Sequence, residues 1–91
     1  MELEEQLTIR NKYGLHARAS TRLAQVTQKF KSAILLARAD GGQEVDGKSI
    51  LGILTLGAER GMALRVRVSG EDAVEALKAI VDIFNKNFDE E

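Results

Sequence analysis

The stretch "MALRVRVSGEDAVEALKAIVDIFNKNF", Met62 to Phe88, decides the fold. In its first part Leu64, Val66 and Val68 alternate with Arg65 and Arg67. A period of two predicts a strand with one buried face and one wet face. After Ser69 and Gly70 the period changes. Ala73, Leu77, Ile80 and Phe84 recur at helical spacing, with Val74 and Val81 beside them, and predict a helix that is apolar on one side. Ser69 with Asp72 three residues on resembles a capping box, and Glu71 and Asp72 suit the positive end of the helix dipole. A half-wet strand joined by a tight turn to a one-sided helix makes a two-layer unit in which the helix covers one face of a sheet.

The rest of the chain repeats this logic. "EQLTIRN", Glu5 to Asn11, alternates, with Leu7 and Ile9 on one face and Thr8 and Arg10 on the other, and predicts a strand. From Ala17 to Phe30, Leu23, Val26, Thr27 and Phe30 fall at helical spacing. "SAILLAR" predicts a second strand, "ADGGQ" a turn, and "EVDG" a short third strand. "KSILGILTLG" predicts a short helix that ends at Gly57. The order is βαββαβα. The expected fold is α+β: a two-layer open-faced sandwich of a four-stranded antiparallel sheet with three helices on one face. The opposite face, with Arg65 and Arg67, stays in water.

Composition narrows the function. The 91 residues suit one compact domain spanning 1–91. A formal net charge of −1 argues against generic nucleic-acid binding. No apolar run approaches the length of a membrane-spanning helix, so no membrane insertion is expected. The acidic start "MELEEQL" lacks the order of a secretory signal. The chain has no cysteine and hence no disulfide framework. Together these fit a cytoplasmic protein. Charge is nonetheless uneven. Arg10, Lys12, Arg18, Arg22, Lys29 and Lys31 follow one another with no acid between them, whereas acids dominate from Glu71 onward. The basic segment suits an anion or an acidic partner, or is a solvated face.

Within that segment lies "NKYGLHARAS", Asn11 to Ser20, with the chain's one histidine, His16, at the start of the predicted helix. Free N–H groups and the dipole make such a start an anion site. The dipole and Arg18 both disfavour imidazolium, so a neutral, nucleophilic ring is expected. Arg18 opposes the dipole at a cost of about 0.3–1 kcal/mol. Arg22, four residues on, adds a like-charge pair. A phosphoryl group on His16 would relieve both strains and would find donors in the Ala17 and Arg18 backbone. Two readings fit: a phosphorylatable histidine, or a histidine that only caps or packs. A metal site is poorly supplied, with no second histidine and no cysteine.

"GLHARAS" followed by "DGKSILGILTLGAERG" resembles the HPr family, the histidine-containing phosphocarriers of the bacterial phosphoenolpyruvate-dependent phosphotransferase system. The resemblance covers nearly the whole chain, and its two motifs lie about thirty residues apart, a specific pairing. It implies the open-faced sandwich fold. It also implies that His16 takes a phosphoryl group on Nδ1 from phospho-Enzyme I and passes it to EIIA-type proteins, with Arg18 interacting with the phosphate. Such a protein is a covalent relay and not an enzyme and implies no metal or organic cofactor; it is expected to work as a monomer, because its partner-docking surface must stay free. Many members carry proline after the arginine, where this chain has Ala19. That departure leaves an extra N–H in the first helical turn and a looser unfolded chain, an effect of about 0.4–1 kcal/mol. The turn "ARADGGQE" looks about two residues longer than in common members.

The helix in "DGKSILGILTLG" poses a second question. At roughly 100° per residue, its apolar side chains cover an arc of about 220°, too broad for one buried stripe. Ile53 and Leu56 suit the core. Ile50, Leu51 and Leu54 share the adjacent arc, either as a partner-docking patch or as a more deeply buried helix face. The resemblance supports docking of Enzyme I and its acceptors there, with Arg22 contributing. Ser49 fits the N-cap. It also matches the regulatory serine modified in some members by HPr kinase/phosphorylase, a modification that can engage a transcriptional regulator. Alternative functions are a regulatory phosphocarrier of nitrogen or signalling type, not coupled to sugar uptake, and a small-molecule-binding regulatory domain.

Overall fold

The computed structural model describes residues 1–90. Four strands and three helices follow the expected order: β1 (Glu2–Thr8), α1 (Ala17–Thr27), β2 (Ala33–Arg38), β3 (Val45–Asp46), α2 (Ile50–Thr55), β4 (Ala63–Ser69) and α3 (Ala73–Asn85). A short left-handed turn, Asn87–Asp89, follows α3. The sheet order is β1-β4-β2-β3 and every pairing is antiparallel. β4, formed late in the chain, therefore sits between two strands formed early.

The alternation in β4 sets the layers. Leu64, Val66 and Val68 are fully buried beneath the helices. Arg65 and Arg67 point to the open face, where Arg67 donates to Glu44 at 2.6 Å and to Glu2 at 2.9 Å. Such exposed pairs are worth about 0–1 kcal/mol each. The core between the layers joins Leu23, Ile34, Leu36, Ile53 and Ile80 to the β4 side chains.

Four expectations need correction. β1 runs Glu2–Thr8 and not Glu5–Asn11. Ile9 keeps the alternation and is buried beyond the ladder, its N–H donating to Met62 O at 2.9 Å. α1 stops at Thr27, short of Phe30. The Thr27 hydroxyl donates to Gly47 O at 2.7 Å, tying the helix end to the approach to α2. The buried stripe of α3 is Ala73, Ala76, Ile80, Ile83 and Phe84, which leaves Val74 54% exposed. Finally, Ser69 and Asp72 form no capping box. Ser69 ends β4, and Asp72 makes no side-chain cap bond to α3. Its carboxylate accepts instead from the Lys31 N–H at 2.8 Å, the Ser32 N–H at 2.9 Å and the Ser32 hydroxyl.

Candidate functional site

His16 is the N-cap of α1, with extended backbone (φ −75°, ψ −176°). The chain reaches it through Gly14, whose φ of +65° costs little only without a side chain. A Cβ there would also lie 2.5 Å from Ala58 O. That close approach lets the Leu15 N–H donate to Ala58 O at 2.9 Å, so the loop before α1 is fastened to the segment before β4. His16 O then accepts from the Ser20 N–H at 2.8 Å, the first turn of the helix.

The ring is held on three sides. Nδ1 accepts from the Arg18 N–H at 3.2 Å. The Tyr13 ring stands edge-on at 5.8 Å between centroids. Nε2 contacts the Glu90 carboxylate. His16 is 32% exposed and Glu90 12%. Asn11, 3% exposed, donates from Nδ2 to Gly14 O at 2.7 Å and to Glu90 Oε1 at 2.9 Å. Burial pushes the Glu90 carboxyl up, but the hydrogen bonds from Asn11 and His16 and the charges of His16 and Arg18 hold it below the ordinary value. Lys12, Tyr13, His16, Arg18, Asp89 and Glu90 line one hollow of about 380 Å³.

Of the residues singled out by sequence, Ala17 and Arg18 are the first two residues of α1 and both are exposed, as is Arg22 one turn further on. Glu90 and Asn11 were missed. The sequence shows acids late and bases early, and the fold brings one of those late acids onto the histidine of the basic segment. Among the described residues, no group of three or more His, Cys, Asp or Glu side chains is arranged to hold a metal ion.

The second cluster sits on α2, which packs against α1. Ser49 is its N-cap, and the Oγ accepts from the Gly52 N–H at 3.0 Å. Lys48 just before it is held by its Nζ donating to Phe30 O at 2.6 Å and by Gln28 Nε2 donating to Lys48 O at 2.8 Å. The broad apolar arc divides. Ile53 is fully buried and Leu56 6% exposed, while Ile50 is 38% and Leu51 75% exposed, with Leu54 between. A short helix that projects a leucine this far into water leaves an apolar patch next to a cap that can carry charge.

Comparison with known proteins agrees with this architecture. The family described as "PTS HPr component phosphorylation site" matches residues 3–86. The phosphocarrier protein HPr of Xylella fastidiosa is 44% identical, with 98% of each chain covered. The phosphocarrier protein NPr of Escherichia coli K12 is 35% identical over the whole of both chains. Among solved structures, HPr from Thermoanaerobacter tengcongensis superposes with a TM-score of 0.90 at 38% identity, covering 98% of each chain. A match over this span, with fold and helix-start histidine in place, has one reading: the chain belongs to the HPr family of phosphocarriers of the phosphotransferase system.

Proposed function

We propose that His16 is the phosphoryl acceptor of this carrier, taking the group on Nδ1 from phospho-Enzyme I and passing it to an EIIA-type protein. One observation carries the reading: Nδ1 presents its lone pair at the start of α1, beside the Arg18 N–H. On attack the Nδ1–P bond forms and the P–N bond of the donor phosphohistidine breaks. The Arg18 N–H then faces a phosphoryl oxygen in place of the ring nitrogen, with the Ala17 N–H as a second donor beside it. The Arg18 guanidinium, exposed beside the ring, is free to swing onto the new dianion. The arc of exposed Ile50 and Leu51 and half-buried Leu54, with Arg22, serves as the docking surface for Enzyme I and EIIA, the carrier working as a cytoplasmic monomer. Ser49 is a regulatory phosphorylation site for a kinase of HPr kinase/phosphorylase type, because a phosphate on its Oγ would set charge against that apolar arc.

Incubation with phosphoenolpyruvate and Enzyme I tests the assignment. An acid-labile phosphoryl adduct is expected on the wild-type chain and none on His16→Ala. Equal labelling of the two would sink it. A second reading, a regulatory carrier of nitrogen type uncoupled from sugar uptake, draws support from the full-length similarity to NPr. Offering the phosphorylated chain to sugar-specific and nitrogen-type EIIA proteins in parallel separates the two by the faster acceptor.

A further inference from the structure

We propose that Glu90 is a positioning residue for phosphoryl transfer: its carboxylate fixes the proton of the His16 ring on Nε2 and balances the positive charge the ring acquires when Nδ1 bonds phosphorus. The inference rests on the reading of His16 just given.

Two contacts on opposite sides of the ring select the same tautomer. A carboxylate only accepts hydrogen bonds, so the Glu90 contact requires a proton on Nε2. A backbone N–H only donates, so the Arg18 contact requires a lone pair on Nδ1. The nitrogen that must attack is thereby unprotonated, and the nitrogen that must keep its proton has a partner. Asn11 steadies the carboxylate from the other side, both Nδ2 hydrogens being spent, one on Glu90 and one on Gly14 O.

The backbone is bent to bring Glu90 to this place. Asn87, Phe88 and Asp89 have φ of 53°, 57° and 64°. Left-handed conformations are strained for residues that carry a side chain, though Asn and Asp adopt them most readily. Phe88 between them is the unusual case, and its burial offsets the strain: it is 1% exposed and packs edge-on against Phe84 at 4.8 Å. With Phe88 as anchor, the left-handed run carries residue 90 back over the start of α1.

The chemistry uses what this delivers. The neutral ring attacks through Nδ1 while its proton stays on Nε2. With both nitrogens then substituted, the ring carries a formal positive charge, and the electron pair of the broken P–N bond returns to the donor imidazole. A carboxylate already hydrogen-bonded to the ring meets that charge as it develops, as the buried aspartate does behind the histidine of a serine protease. Glu90 is ionised for this role at neutral pH, its carboxyl held low by Asn11 and by the ring.

The experiment compares wild type with Glu90→Ala, Glu90→Gln and Asp89→Asn. Asp89 lines the same hollow and has no hydrogen bond to the ring, and asparagine keeps its left-handed backbone, so Asp89→Asn controls for loss of charge alone. In 15N-histidine-labelled protein, an exchange-protected, downfield Nε2–H proton is expected in wild type and Asp89→Asn and lost in Glu90→Ala. Phosphorylation by phospho-Enzyme I should fall about tenfold in Glu90→Ala, the lower end of the loss found when the partner behind a metal-ligating histidine is removed, and stay within about twofold in Asp89→Asn. Glu90→Gln has one acceptor oxygen for two donors and should fall between. A protected proton or a full rate in Glu90→Ala, or an equal loss in Asp89→Asn, would overturn the role of Glu90 while leaving the carrier assignment standing. A wild-type chain that takes no phosphoryl group would overturn the carrier assignment instead, and the transfer role of Glu90 with it.

Discussion

Asp72 reaches across forty residues to hold Ser32: its carboxylate accepts from the Ser32 hydroxyl and N–H and from the Lys31 N–H. These bonds favour the ionised form. The Ser32 hydroxyl bond is the largest cause, followed by the Lys31 N–H, and the carboxyl is lowered to about 2. The sign follows from linkage. A carboxyl lowered in the folded state stabilises it above the unfolded value of 3.8, and that contribution fades as pH falls toward about 2. Asp72→Asn should therefore lower the melting temperature at pH 6, and the gap from wild type should narrow between pH 4 and pH 2. Melts across this range check it. A gap independent of pH would mean that folding does not lower the Asp72 carboxyl.

Gly14 joins two constraints, a left-handed backbone and a neighbour too near for a methyl group. Gly14→Ala should cost about 2 kcal/mol or more in urea unfolding. It should also slow phosphorylation, because the residue fixes the loop that carries His16. Unchanged stability with slowed transfer would show that the loop yields locally without cost to the fold.

The divided arc of α2 predicts opposite behaviour from two neighbouring side chains. Ile53→Ala should destabilise by about 2–5 kcal/mol and leave docking intact under conditions where the protein is folded. Leu51→Ala should change stability by no more than about 0.5 kcal/mol and raise the KM of Enzyme I for the chain. Denaturant titration and steady-state transfer kinetics read the two effects separately.

Ser49→Ala removes a cap bond of 3.0 Å and should cost about 1 kcal/mol. Ser49→Asp keeps an acceptor for the Gly52 N–H, so its stability should stay near wild type. Transfer from Enzyme I should nevertheless weaken in Ser49→Asp if charge beside Ile50 and Leu51 hinders docking. Equal transfer by both variants would remove the basis for regulation through that charge.

Local pattern made the layers legible. The two-residue period of β4 and the width of the α2 arc both predicted which side chains face water, because each depends on neighbours in sequence. Ends and caps were less legible. The alternation puts β1 three residues late because Ile9 continues it past the ladder, and burial alone does not mark where a paired strand ends. Asp72 has the spacing of a capping residue but finds better donors in Lys31 and Ser32. Val74 has the composition of a core residue and lies just outside the arc that the sheet can cover. At the candidate site, His16, Arg18 and Ser49 stand out by position on a helix start. Glu90 does not, since its partner is 74 residues away and no spacing rule links a late acid to an early imidazole.

The seat of β4 between β1 and β2 has a consequence for how the chain is made. A ribosome releases β1 and β2 early, yet until residues 63–69 have emerged β1 has no sheet neighbour and β2 has one of its two. Until then the strand pair available among the described residues is the short β2–β3 hairpin. The loop bearing His16 waits as well, because Leu15 and Ile9 bond to Ala58 and Met62. Contacts of this separation close slowly and late. A nascent chain of this protein thus acquires its full sheet and its histidine loop together, in one step once β4 has emerged, and a fragment stopped before β4 would have neither.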